Sequence, residues 1–198
     1  MPRFGDRRRM RVGILGGSFN PAHAGHLHVA ELARRRLRLD QVWLLVSPGN
    51  VLKPREGMAP FGDRLASAGV VANGRRIVAT GIEAALGTRY SIDTLQRLQQ
   101  RFPYVEFVWL MGADILEQLP CWRRWRDFAS RVPFVVLPRP SYNLRALAGQ
   151  AARALHAGRR RDRAATILAN ARPPAWSFLL SPQHAASASA IRAKGAVP

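Results

Sequence analysis

The sequence predicts an α/β fold in which a doubly wound, mostly parallel sheet is covered by helices on both faces. Short runs that are apolar throughout, such as VWLLV and FVWLM, alternate along the chain with longer stretches whose apolar residues recur at helical spacing. Strands without polar alternation are typical of parallel sheets buried on both faces. In such a fold, ligands bind at the carboxyl ends of the strands.

The elements follow from these patterns in order. Six strands are predicted, at RVGIL, QVWLLVS, RRIVATGIE, YVEFVWLMG, RVPFVVLPR and AWSFLLS. Helices are predicted at PAHAGHLHVAELARRRL, PFGDRLASAGVVA and YSIDTLQRLQQRF, the last with Ser91 as its N-cap. Residues 141–172, rich in arginine and alanine, are predicted to form a helical stretch before the last strand. Without a repeat or a long linker, we expect a single domain over residues 1–198, with a basic, flexible extension at 1–10.

The formal net charge of +19 would attract polyanions, so nucleic-acid binding is one hypothesis. However, Lys53 and Lys194 are the only lysines, and the arginines are spread along predicted helices. Aromatic residues do not interleave with the basic runs, as stacking on single strands would require. The composition therefore favours an arginine-rich surface, and specific nucleic-acid binding is not expected.

No apolar run approaches the roughly 18 residues of a membrane span, so no membrane association is expected. The basic N-terminus leads into a glycine turn and not into the apolar region of a signal peptide, which predicts a cytoplasmic protein. Cys121 is the only cysteine. An internal disulfide and a cysteine-based zinc site are therefore excluded.

A glycine turn follows the first predicted strand directly. Gly16 and Gly17 allow a sharp bend and a close approach of the backbone to a ligand. The amides of Gly17, Ser18 and Phe19, with the start of the next helix, would form a group of donors for an anion. The glycine spacing matches neither the dinucleotide fingerprint nor the Walker loop.

Two histidines follow the glycine turn and make it a more specific indication of an anion site. His23 and His26 are three residues apart and lie on nearly the same helix face, with Gly25 leaving room for a nucleotide between them. Both imidazoles can donate hydrogen bonds to phosphate oxygens. His28 is expected to face elsewhere, and no further ligand for zinc stands nearby. The stretch therefore predicts a phosphate site.

The segment GGSFNPAHAGHL resembles the signature of the HxGH-type nucleotidylyltransferases, in particular the bacterial nicotinate-nucleotide adenylyltransferases. The resemblance runs from about residue 11 to about residue 194, and it departs at Asn20, where the family usually has an aspartate in a turn or capping role. It implies an ATP-binding enzyme of NAD biosynthesis with a Rossmann-like fold. Such an enzyme transfers AMP from ATP to nicotinate mononucleotide, with Mg²⁺ carried by ATP and His23 and His26 stabilising charge on the triphosphate.

The resemblance also implies residues on both substrates. For nicotinate mononucleotide these are Asn50, Lys53, Thr94 and Trp122. For ATP they are the glycine turn and the histidines together with Gly112, Asp114, Ser187, Ser189, Ile191 and Arg192. Ala188 replaces a serine of the family's closing motif, and Arg139 is a weaker candidate for a contact.

Several of these residues have structural alternatives. Thr94 could be an ordinary residue of a first helical turn, and Asp114 could be only a helix N-cap. Trp122 could be a core aromatic, and Trp109 and Trp125 are the other tryptophans of that region.

The function also has alternatives. Another HxGH enzyme, such as a phosphopantetheine or nicotinamide-mononucleotide adenylyltransferase or a cytidylyltransferase, would share the nucleotide half of the site. A basic nucleic-acid-binding protein and a nucleotide sensor are the alternatives without catalysis.

Overall fold

The computed structural model describes residues 7–49 and 56–181. Its strands are β1 (Met10–Gly17), β2 (Gln41–Val46), β3 (Ile77–Thr80), β4 (Val105–Gly112), β5 (Phe134–Leu137), β6 (Arg159–Arg160) and β7 (Trp176–Phe178). They form one sheet in the order β3-β2-β1-β4-β5-β7-β6, with every pairing parallel. The predicted α/β fold is confirmed.

The helices are α1 (Ala24–Arg36), α2 (Phe61–Val71), α3 (Ile82–Ala85), α4 (Ser91–Arg101), α5 (Ala113–Gln118), α6 (Trp125–Arg131), α7 (Asn143–Ala148) and α8 (Gln150–Ala154). Three 3-10 helices lie at Leu119–Cys121, His156–Gly158 and Asp162–Asn170. No helix in the described part of the chain combines the length and apolarity that crossing a membrane would require.

Three local predictions were wrong. The predicted third strand, RRIVATGIE, is too long, because β3 ends at Thr80 and Ile82–Ala85 form the helix α3. Ser91 is the first residue of α4, and the N-cap is Tyr90, which makes no side-chain capping bond. Residues 141–172 are not one helical stretch, because α7 and α8 are separated at Gly149 and the short strand β6 precedes the last 3-10 helix. Gly158 lies against the carbonyl of Pro174, where an added Cβ would come within 2.4 Å of the oxygen.

The core has two halves, one on each face of the sheet. Ile14 and Trp43 pack with α4 and α6 on one face, and Leu15 and Leu44 pack with α1 and α2 on the other. Successive residues of one strand thus serve opposite faces, which explains why these strands are apolar throughout.

The chain reverses its winding direction at β1. β1 pairs with β2 on one side and with β4 on the other, so the crossover connections run in opposite directions from β1. A crevice forms at the carboxyl ends of strands around such a switch point. Gly16 and Gly17, predicted to follow the first strand, are the last two residues of β1 and pair with Leu45 and Val46 of β2, so the bend of the glycine turn begins at Ser18 and lies at this crevice.

Candidate active site

The glycine turn is shaped by a buried aromatic ring. Phe19 is 2% exposed and has a φ of +49°, in the left-handed region that costs free energy for any residue but glycine. Its ring lies so close that a Cβ on Gly17 would approach it to 3.3 Å. Gly16 is exposed, and Gly17 and Ser18 are partly exposed. The two glycines therefore offer only main-chain atoms to a ligand.

His23 and His26 cap the N-terminus of α1 reciprocally. The amide of Gly25 donates to His23 Nδ1 at 3.1 Å, and the amide of His23 donates to His26 Nδ1 at 3.2 Å. Because both Nδ1 atoms accept, the proton of each neutral imidazole must be on Nε2. The ring centroids are 3.9 Å apart. The sequence predicted the pair, and the structure adds two fixed Nε2–H donors.

His26 is neutral near pH 7. Burial, the nearby ring of His23 and the positive charge of Arg139 lower its pKa from 6.5 to about 3. The ring donates one hydrogen bond without carrying a charge. Nearby phosphate would favour the protonated form and raise this pKa.

The shifted pKa of His26 predicts lower stability in acid. Below pH 6.5 the unfolded imidazole takes up a proton while the folded ring stays neutral until about pH 3, so the free energy of unfolding falls as the pH drops. Between pH 7 and pH 5 this loss is about 2 kcal/mol. Urea unfolding gives the free energy of unfolding at pH 7 and at pH 5. The difference between the two values should be smaller by that amount in His26→Gln than in the natural protein. An equal difference in both proteins would contradict the prediction.

Asn20 joins the glycine turn to the segment before α2. Its amide Nδ2 donates to the carbonyl of Gly57 at 2.9 Å, and its Oδ1 accepts from the amide of Ala59 at 3.1 Å. The side chain is therefore a bridge between two loops rather than a helix cap. The first of these bonds needs a donor, which an amide has and an ionised carboxylate lacks.

Asp114 and Arg139 meet because two strands end level with each other. Gly112 of β4 pairs with Leu137 of β5, and the two charged residues each follow two positions later. Arg139 Nε lies 3.4 Å from Asp114 Oδ1, which is buried and accepts no hydrogen bond from the described residues. Gly112 is the N-cap of α5, so the reading of Asp114 as N-cap is wrong. Arg139, a weak candidate by sequence, contributes to the lowered pKa of His26 through its positive charge.

Gly112→Ala should disrupt this ion pair with little loss of stability. The added Cβ would lie 2.3 Å from Asp114 Oδ1 and 3.0 Å from Arg139 Nε, and both are side-chain atoms that can move away. If the pair helps to hold ATP, its displacement should raise the KM for ATP about tenfold, or about 1.4 kcal/mol. Steady-state kinetics with a thermal melt measures both effects. An unchanged KM would show that the pair is not part of the ATP site.

Trp122 is the tryptophan available for stacking. The other four, Trp43, Trp109, Trp125 and Trp176, are at most 7% exposed, and all five lie among the described residues. Trp122 is partly exposed and packs edge-on against Trp109, with centroids 6.3 Å apart. The geometry favours Trp122 as the ring that a flat ligand could contact.

Thr94 is buried within a polar network. It is 0% exposed, and its hydroxyl donates to Glu83 Oε1 at 2.8 Å and lies 2.8 Å from Thr88 Oγ1. Burial raises the pKa of Glu83, while hydrogen bonds from Thr94 and Ser47 oppose that shift. The Thr94 side chain therefore supports the fold, and it presents no exposed hydroxyl to the acceptor.

The remaining predicted site residues lie outside the described residues. These are Asn50, Lys53, Ser187, Ser189, Ile191 and Arg192, together with the departure at Ala188. Within residues 7–49 and 56–181, no three histidine, cysteine or acidic side chains group together as metal ligands.

Comparison with known proteins agrees with this architecture. A family model described as cytidylyltransferase-like matches residues 14–194. A protein of Gluconacetobacter diazotrophicus named "Probable nicotinate-nucleotide adenylyltransferase" is 60% identical over 96% of this chain and 88% of its own. A protein of Gluconobacter oxydans with the same name is 59% identical over 94% of this chain and 95% of its own.

Solved structures extend the comparison to the fold. Nicotinic acid mononucleotide adenylyltransferase of Plasmodium falciparum, complexed with NaAD, has a TM-score of 0.69 at 15% identity, covering 93% of this chain and 83% of that one. At that identity the similarity concerns the fold alone.

Proposed function

The chain belongs to the nicotinate-nucleotide adenylyltransferases, and on that premise we propose how its residues carry the reaction. The enzyme transfers AMP from ATP to nicotinate mononucleotide and releases pyrophosphate. An oxygen of the acceptor phosphate attacks the α-phosphorus of ATP while the bond to the bridging oxygen of the leaving pyrophosphate breaks. A phosphate is already ionised at neutral pH, so the step needs no general base.

The observation that carries the assignment of the ATP site is the pair of Nε2–H donors on His23 and His26. Fixed donors that meet charge as it develops are the main source of catalysis in transfers of this kind. We assign both rings to the triphosphate, with His26 at the α-phosphate. The exposed backbone of the glycine turn would hold the neighbouring phosphate oxygens.

Positive and aromatic groups complete the proposal. Arg139 supplies a cation whose charge reaches His26 and lowers its pKa, and Asp114 and Gly112 are assigned to the adenosine side. Trp122 is assigned to the pyridine ring of the acceptor, because its ring is accessible. Ser187, Ser189, Ile191 and Arg192 stay assigned to ATP, and Asn50 and Lys53 to the acceptor, on the family resemblance alone.

Mg²⁺ would arrive with ATP, bound mainly by phosphate oxygens and water. Among the described residues, Asp114 has a buried carboxylate oxygen without a hydrogen bond, which fits at most one protein ligand. When bound, the ion would neutralise charge on the leaving pyrophosphate. The chain's own groups then have to orient the two anions.

The test is pyrophosphate release from Mg·ATP, run in parallel with nicotinate mononucleotide, nicotinamide mononucleotide and phosphopantetheine. We expect the highest kcat/KM with the nicotinate acceptor. Release with phosphopantetheine alone would overturn the proposed acceptor while keeping the nucleotide site. No release, with steeply salt-dependent nucleic-acid binding, would overturn the enzyme.

A further inference from the structure

Arg64 is a buried cation paired with backbone carbonyls. It lies on α2, is 2% exposed, and forms no ion pair with any described residue. Its Nη1 donates to Ser18 O at 2.7 Å and to Ser47 O at 2.8 Å. Its Nη2 donates to Pro48 O at 3.2 Å, and its Nε donates to Ala59 O at 2.9 Å. One guanidinium therefore ties three chain segments together.

Two of those segments adjoin the candidate active site. Ser18 belongs to the glycine turn, and Ser47 and Pro48 directly follow β2. Ser47 is held from other sides as well, since its amide donates to Gly17 O at 2.9 Å and its hydroxyl donates to Gly49 O at 3.0 Å. The sheet already pairs Gly17 with Val46, and Arg64 adds a side-chain link from the carbonyl of Ser18 to the carbonyls of Ser47 and Pro48, beyond the ends of both strands.

The electrostatics of Arg64 suit this position. A carbonyl directed at a phosphate would repel it, and Arg64 holds the carbonyls of Ser18 and Ser47 towards itself. Burying a guanidinium without a carboxylate costs free energy, as the lowered pKa of Arg64 indicates. An anion bound nearby offsets part of that cost. The guanidinium makes its four hydrogen bonds as a planar fork, so the geometry of this fork matters as much as its charge.

We propose that Arg64 is a positioning residue that makes the two substrates bind cooperatively, by fixing the glycine turn and the end of β2 as one unit. The proposal rests on the proposed function for the identity of the acceptor. A substrate that shifts the carbonyl of Ser18 or of Ser47 would be felt at the other carbonyl, because both accept from the same Nη1 of Arg64.

The test compares dissociation constants, measured by calorimetry, for α,β-methylene-ATP with and without saturating nicotinate mononucleotide. In the natural protein we expect the acceptor to tighten analogue binding by on the order of fivefold. Arg64→Lys keeps the charge but loses the fork, and its coupling factor should fall to about one. Arg75→Lys, in an exposed position before β3, is the matched control and should keep the natural coupling.

Independent binding in the natural protein, or natural coupling in Arg64→Lys, would overturn the proposal. A merely structural role would lower the melting temperature and leave the coupling factor intact. Should Arg64→Lys fail to fold, the Arg64 Nε resonance of natural, ¹⁵N-arginine-labelled protein decides. A shift on adding each ligand separately supports the proposal, and a shift with only one or neither overturns it.

The outcome is separable from the proposed function. Pyrophosphate release with nicotinate mononucleotide, in the absence of coupling, would leave the enzyme assignment intact and remove only the role of Arg64. Absence of turnover with every acceptor would instead overturn the function.

Discussion

His26→Ala should lose at least about a hundredfold in kcat while the protein stays folded. The variant removes a donor whose proton is fixed on Nε2 by the hydrogen bond from the amide of His23. A donor of this kind acts on charge that grows in the transition state, so kcat should fall far more than the KM for ATP rises. The pyrophosphate assay measures both constants.

The matched control for this prediction is His28→Ala. His28 lies on the same helix, two residues further on, and its side chain is exposed. We expect its kcat to stay near that of the natural protein. A His26→Ala enzyme with near-normal turnover and a normal melt would remove His26 from the mechanism.

The glycine turn and the histidine pair could be predicted because they are local. Their chemistry depends on residues 16–26, and the strand–turn–helix pattern places those residues at the carboxyl end of a strand. The mutual capping that fixes the histidine tautomers was not predicted, because it depends on the N-cap being His23 itself. Helix ends are the least certain feature of a sequence pattern.

Contacts between distant segments were less accessible to sequence reasoning. The meeting of Asp114 with Arg139 depends on the register between β4 and β5. Arg64 resembles any other arginine in a very basic chain. The available signal was its place on the apolar face of α2, three residues after Phe61 and four before the buried Ala68. An arginine on the apolar face of a helix indicates that its guanidinium has buried hydrogen-bond acceptors.

The tryptophans and Thr94 show what side-chain burial adds where the sequence leaves alternatives open. The spacing in LMGADILEQLPCWRRW does not distinguish Trp122 from Trp125, whereas the structure buries Trp125 to 7% exposure and leaves Trp122 accessible. The Thr94 hydroxyl is buried and bonded to Glu83 and Thr88, and a role of this residue at the acceptor stays a prediction. The polar partner Glu83 comes from the preceding helix α3, which no pattern in the sequence predicted.

Arg139→Met should lower kcat/KM for ATP by about thirtyfold, the second-largest effect expected. The substitution keeps an unbranched side chain but removes the cation that lowers the pKa of His26, and it leaves the carboxylate of Asp114 without the ion pair at 3.4 Å. An unpaired carboxylate beside a triphosphate repels it, and a thirtyfold loss corresponds to about 2 kcal/mol.

The double variant Asp114→Asn/Arg139→Met separates these two causes. If repulsion from Asp114 dominates, the second substitution should recover part of the loss; if the Arg139 cation itself contacts phosphate, the double variant should be at least as impaired as Arg139→Met. Arg145→Met is the matched control, because Arg145 Nη2 forms an ion pair with Glu117 Oε1 at 2.7 Å on α5 and its side chain is 69% exposed. Equal kinetics for Arg139→Met and Arg145→Met would place Arg139 outside the site.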